Sequence, residues 1–398
     1  MRGGRNCHAE IEFEDGVVWI ARFRLLDSRT PPEARNYVLQ SEAATMQFLD
    51  RPTRVPSPRV FDWACESDQT NTIGIGYILM EKVNGTSLRW YKATATQKEK
   101  IVRQLADIMV EIERYPFDRL GSLIFTTEFS SREARQGAAA ESQIQVGALA
   151  DESIFRSGDG GMPLGPFRSS KEAFLATVQA HSRMIVAGEI GSAETVLDLL
   201  LAYRFRLDVL DKVSEQTATA EKGSEQFFLK HADDKGDHIL VNDDFDIVGI
   251  VDWEWCKTAS REEAFSSPRM MWPVGPFYDA SNELAEEELL LARVFRERGR
   301  EDLASCVLHG RKVQRWLFAL HPLMTHGDSK TLTSLFVGLK RAFEEHDIKT
   351  DGRGVEDEWE TWKAKALHDW KHEALFQSAI EANDRLAATH HVGAHIAG

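Results

Sequence analysis

Cysteine is scarce and scattered: Cys7, Cys65, Cys256 and Cys306 lie far apart, with no CxxC pair and no metal-ligand spacing. That excludes a disulfide framework and a cysteine zinc site, and it is the usage of a reduced, cytoplasmic protein. Long apolar runs are missing too. None approaches the ~18 residues needed to cross a bilayer, and Met1 to Arg5 lacks the apolar stretch of a secretory signal. Membrane association is therefore not expected. Basic charge is in the minority, with 48 Lys and Arg against 63 Asp and Glu and a formal net charge of −15. A chain without a basic surplus is a poor partner for nucleic acid; a cationic small molecule is compatible with it.

Familiar catalytic signatures are absent as well. There is no GxxxxGK[ST], no GxSxG and no HExxH. Gly74 and Gly76 spell GxG, but a strand rather than a helix follows, so the dinucleotide fingerprint fails. What is present is the composition of a folded globular protein. The 398 residues are 42% hydrophobic and 28% charged, enough for two to three domains of roughly 150 residues or one large bilobed molecule.

The first 80 or so residues read as β-rich. His8–Phe13 and Val17–Leu25 flank Glu14-Asp15-Gly16, and Asp-Gly between apolar runs predicts a hairpin. From Pro32 the period turns helical, with Val38, Glu42, Thr45 and Leu49 on one face, until Pro52, Pro56 and Pro58 end the helix. A third strand, Gly76 to Met80, runs towards the Asn84-Gly85 turn. Beyond it helices dominate, over 97–112, 170–187, 193–214, 283–298, 301–320, 331–345 and 357–387. The segment 126–168, with Gly158-Asp-Gly-Gly161, reads as a long surface excursion, and 389–398 as a frayed tail.

Chemistry concentrates between Phe227 and Glu254. A strand ends at His231, a loop carries Asp233, Asp234, Lys235, Asp237 and His238, and a hairpin of Ile239–Val241 and Ile247–Val251 ends on Asp252. One acidic position on the loop and one at the strand end can face a common point. Carboxylates that hold magnesium, beside one that positions a hydroxyl, are what phosphoryl transfer requires.

His231-x-Asp233, a position five residues on, a short hairpin and then Asp252-Trp-Glu resemble the catalytic segment of the aminoglycoside phosphotransferase and choline kinase-like families, small-molecule relatives of the protein kinases. Trp19-Ile-Ala-Arg22 resembles their phosphate-holding strand, Glu42 the ion-pair partner on the next helix, and Tyr77–Val83 the hinge that meets adenine. The likeness runs from about residue 3 to residue 320 and is nearest to the fungal-type aminoglycoside phosphotransferase-domain proteins. It implies an α+β, bilobed protein kinase-like fold. Residues 1–83 would be a small β-rich N-lobe with one helix, and residues 84–398 a mainly helical C-lobe.

The resemblance also implies roles. Asp233 would orient the acceptor hydroxyl, with Lys235 at the transferring phosphate and His231 pinning the loop. Arg22 and Glu42 would hold ATP phosphates, and Met80, Glu81 and Val83 the adenine. Asp252 would bind Mg²⁺. The implied substrate is a hydroxylated small molecule, with a cationic one among the options; the oligomeric state is open. An alternative reading is a nucleotide-binding scaffold without transfer activity.

Three positions depart from the pattern. His238 stands where the second metal ligand is Asn; either that site is weakened, or Asp237 supplies oxygen, or His238 binds a softer ion such as Mn²⁺. Arg22 replaces the usual Lys, which changes geometry and reach. The glycine-rich turn falls at Gly3-Gly4, so the strand before it is missing, and both a truncated start and an incomplete ATP lid fit that. Read blandly, Glu42 is a helix-surface carboxylate, Arg22 lies on an edge strand, Glu254 braces its loop, Glu283–Glu288 is a solvated helix start, and Trp359 and Trp362 are packing.

Overall fold

The computed structural model describes residues 6–25, 30–126, 144–151, 163–192, 195–217, 225–318, 329–344, 354–374 and 376–377. The Gly3-Gly4 turn, the Gly158 to Gly161 stretch, helix beyond residue 377 and the 389–398 tail lie outside the described residues.

The predicted hairpin is β1 (Asn6–Glu12) and β2 (Val18–Arg24), in continuous antiparallel register from Asn6↔Arg24 to Glu12↔Val18. Gly16 turns it with φ +82°, a conformation that glycine adopts without steric cost. Helix α1 (Pro32–Asp50) starts on a proline, whose fixed φ suits the first helical position. Its face of Val38, Glu42, Thr45 and Leu49 is buried, as the period predicts.

A strand that the sequence reading missed follows: β3 (Val60–Ala64), paired with β4 (Tyr77–Glu81). Pro56 and Pro58 hid it, since proline argues against strand; here they precede an edge strand, where a missing N–H is tolerated. The sheet order is β1-β2-β4-β3. Arg22 therefore sits on an interior strand, not an edge. Leu39, Leu49, Trp63 and Ile78 share one apolar core with Leu229, Ile250 and Trp253, so α1 and the sheet pack directly on the segment that carries the motif.

Helix α2 (Ala95–Glu113) opens with a Thr94–Gln97 capping box and buries Ile101, Val102 and Leu105. The remaining helices include α3 (Ser170–Val186), α4 (Val196–Asp208) and, after α5 (Leu210–Thr217), the single long helix expected at 301–320, which breaks at Gly310 into Glu301–His309 and Arg311–Phe318. A Cβ at Gly310 would lie 2.6 Å from the Cys306 carbonyl, so glycine is needed there.

Two other expectations are overturned. The described parts of 126–168 are not a surface excursion: Ile144–Gly147 pairs with Ser122–Phe125, and Leu149 and Ala150 are buried. The short apolar run Ile144-Gln-Val is alternating and strand-like, but polar neighbours concealed it. Nor is Glu288 solvated. It is fully buried and bonded to Arg311 at 2.6 Å and to Ser267 at 2.5 Å. Trp359 packs on Trp362 and Phe336.

Candidate active site

Strand β8, counted after β5 (Thr86–Ser87), β6 (Ser122–Phe125) and β7 (Ile144–Gly147), spans Phe227–Lys230 and delivers His231 into the interior. The His231 Nδ1 accepts from the Asp233 backbone N–H at 3.2 Å, while Nε2 lies 3.0 Å from the Val251 carbonyl. An accepting Nδ1 places the proton on Nε2, which donates to Val251. One neutral ring thus ties the Asp233 loop to the residue before Asp252. Burial keeps it neutral by lowering its pKa, and its ring stacks on His238 at 4.1 Å.

The Asp233 carboxylate is held on one oxygen by Lys235 at 2.7 Å and on the other by Arg269. Nothing in the sequence marked Arg269, which comes from a one-turn helix 36 residues on. Asp234 anchors the same loop, accepting from Lys230 at 2.7 Å and from the Arg269 backbone at 3.1 Å. Gly236, at φ +105°, turns the loop against Met270. The Asp237 carboxylate is exposed and 3.6 Å from Lys235.

Asp252 follows the hairpin of β9 (Ile239–Val241) and β10 (Ile247–Ile250) and adopts φ +64°, a left-handed conformation that costs a non-glycine residue energy. It meets Arg22 at 2.8 Å. Arg22 also pairs with Glu42 at 3.0 Å and Glu254 at 3.3 Å. Glu254 in turn takes Arg24 and, at 3.2 Å, Asn6, so it ties its loop to the sheet. Two guanidinium groups therefore face three carboxylates. Burial, against the pull of Arg22 and with Glu254 adding to it, pushes Glu42 up to about 8. At Asp252 burial likewise raises the pKa but is outweighed by Arg22, which holds its carboxyl below the usual range.

Among the described residues no three His, Cys, Asp or Glu side chains gather as a metal group. Magnesium does not need one, since it is commonly held by one or two carboxylates with phosphate oxygens and water. The Asp252 side chain is 43% exposed, leaving it accessible on the side away from Arg22. His238 is 7% exposed, its Nδ1 has no hydrogen-bond partner, and burial lowers its pKa to about 2. A neutral imidazole with an unused nitrogen is chemically a metal donor, though for ions softer than magnesium. The residues fit a divalent ion on Asp252.

In the hinge, Met80 is inside the ladder opposite Ile20, and the Glu81 N–H donates to Arg59 at 2.9 Å. No hydrogen bond among the described residues engages the Val83 backbone. Its neighbour Lys82 ties the hinge to Glu10 at 2.8 Å. On the far side of the loop, a cavity of about 440 Å³ has Asp233 in its wall.

No protein-family model matches the chain. Two curated proteins from strains of Aspergillus fumigatus, both described as subtelomeric hrmA-associated cluster proteins, are 38% and 39% identical over 95 and 90 residues. Those stretches are 23% and 22% of this chain but 18% and 17% of the relatives, so the chain matches less than a fifth of their length. Among solved structures, a candidate fructosamine-3-kinase from Thermobifida fusca is 13% identical, covering 85% of this chain and 91% of that one, with a TM-score of 0.50. Plasmodium vivax ethanolamine kinase (10% identity, 87% and 81% covered, TM-score 0.48) and aminoglycoside phosphotransferase APH(4)-Ia with AMP-PNP and hygromycin B (14%, 87% and 93%, 0.46) are looser matches. The fold assignment rests on the first. The chain has an α+β, bilobed kinase-like fold, similar to that of the Thermobifida fusca structure.

Proposed function

We propose that the chain is an ATP-dependent phosphotransferase that moves the γ-phosphate to a hydroxyl of a small molecule, and that it belongs with the fungal-type aminoglycoside phosphotransferase-domain proteins. The observation that carries this is the shared frame of four groups. Arg22 on a strand joins Glu42 on a helix and Asp252 after the hairpin, while His231 fixes the Asp233 loop to Val251.

In this reading residues 1–83 form the nucleotide-binding lobe and 84–398 carry the catalytic loop, in the cytoplasm. Asp233 orients the acceptor hydroxyl and accepts its proton as the new O–P bond forms and the bond to ADP breaks. Lys235, already beside Asp233, offsets charge on the moving phosphoryl group. Arg22, steered by Glu42, contacts the α/β-phosphates once they displace one of its carboxylates. The free backbone of Val83, with Met80 and Glu81, suits adenine. Asp252, with His238 or Asp237, would hold Mg²⁺ or Mn²⁺, which supplies charge neutralisation to the phosphates. No covalent enzyme intermediate is needed; positioning and electrostatics supply the catalysis.

A second reading has its own observation. The Arg22 side chain is only 6% exposed and already meets three carboxylates, as in a scaffold that no longer takes nucleotide. Thermal unfolding with ATP and either metal separates the two. At ~100 times its dissociation constant a ligand stabilises by about 2.7 kcal/mol, and a shift that needs the metal supports the transferase. No shift with either metal favours the scaffold.

A further inference from the structure

The cavity beside Asp233 contains a charge that the catalytic reading leaves unused. Arg206, in the last turn of α4, lines it and is only 3% exposed. Its guanidinium lies 4.1 Å from the Trp316 ring centroid and 5.0 Å from that of Tyr203. Nε has no hydrogen-bond partner, and Arg206 forms no ion pair among the described residues. The Tyr203 hydroxyl lies beside it, and burial lowers its pKa.

The other charges in the wall are matched. Lys230 takes Asp234 at 2.7 Å, Lys257 takes Glu263 at 2.8 Å, and Arg269 takes Asp233. Asp151 has partners of its own. Glu263 keeps one oxygen unbonded, but its charge is already met by Lys257. Arg206 is thus a cation of the wall that has no ion pair among the described residues. A buried cation stacked on an aromatic face gains less than it loses by leaving water, whereas a bound anion in a low-dielectric pocket restores the balance.

We propose that the acceptor substrate carries a carboxylate or similar anion, received by Arg206, with an apolar or aromatic body against Trp316, Phe174 and Phe318. This rests on the transferase reading for the word acceptor, but the anion site stands apart from it. It selects against a cationic substrate, one of the options that the sequence left open. A volume of about 440 Å³ suits a molecule of drug-like size.

The test uses three matched probes on the full chain without nucleotide: 4-(hydroxymethyl)benzoate, its neutral amide and the 4-(aminomethyl) analogue, titrated by tryptophan fluorescence. The carboxylate is expected to bind at least tenfold tighter than the other two. Arg206→Gln should erase the preference and Arg206→Lys should restore part of it. The comparison on the unaltered protein holds even if a variant fails to fold. Tighter binding of the amine, no binding of any probe at millimolar concentration, or an unchanged preference in Arg206→Gln overturns the proposal. ADP release is then read separately. Binding of the carboxylate with no turnover of any hydroxylated compound removes the transferase reading and leaves the anion site; turnover of amino alcohols alone does the reverse.

Discussion

Arg22 and Asp252, 230 residues apart in sequence, meet at 2.8 Å, and this single contact closes the strand, the helix and the post-hairpin loop into one electrostatic unit. The unit has an excess carboxylate: Glu42, Asp252 and Glu254 against Arg22 and Arg24. That imbalance is unfavourable in a buried setting and is relieved by a proton or by a metal ion.

Asp252→Ala removes the excess. The unliganded protein should keep its unfolding midpoint within about 2 °C, because the lost Arg22 contact is offset by relief among the remaining carboxylates. The metal-dependent stabilisation by ATP should disappear. A midpoint drop of many degrees with that stabilisation retained would falsify the reading of Asp252 as the metal ligand.

Glu42 gives a pH signature. Its folded pKa, about 8, lies above its ordinary 4.5, so between those values the folded state holds more protons than the unfolded one. Its contribution to stability is greatest below about 4.5 and is lost as pH rises through about 8. Glu42→Gln mimics the protonated form and should flatten that decline in urea melts run from pH 5 to 8.5. An unaltered slope would mean that Glu42 stays ionised beside Arg22.

His238 has the opposite sign. Its folded pKa, about 2, is far below the ordinary 6.5, so the unfolded chain binds a proton that the folded one refuses, and stability is lost as pH falls below about 6.5. His238→Asn should lessen this acid sensitivity and supply an oxygen ligand, raising Mg²⁺-supported nucleotide affinity relative to Mn²⁺. Loss of affinity with both metals would mean the imidazole is itself the ligand.

His231→Phe keeps the ring but leaves the Asp233 N–H and the Val251 carbonyl unpaired. The expected loss is about 1–3 kcal/mol in urea unfolding, and kcat should fall more than the KM for ATP changes. An unchanged kcat would show that the bridge does not position Asp233.

Much of this was legible in the chain, for identifiable reasons. Hairpin, helix and motif carry local signals: Asp15-Gly16, the Val38 to Leu49 face, and Asp233 and Asp252 bracketing a hairpin. What escaped was long-range or context-dependent. β3 hid behind prolines, Arg269 reaches Asp233 from 36 residues away, and Glu288 is buried only because Arg311 lies opposite. Arg206 gave no sign at all, since an arginine in a helix is ordinary until it proves to have no ion pair among the described residues.

The most direct test of the central claim is ADP release by the full chain, incubated with ATP and either Mg²⁺ or Mn²⁺ against a panel of hydroxylated metabolites, anionic, neutral and cationic. The account predicts substrate-dependent release that Asp233→Asn reduces by about 10²-fold or more, the scale of a lost general base, while ATP binding persists. Release at the same rate in Asp233→Asn, or none with any compound from a protein that binds ATP and metal, would contradict it.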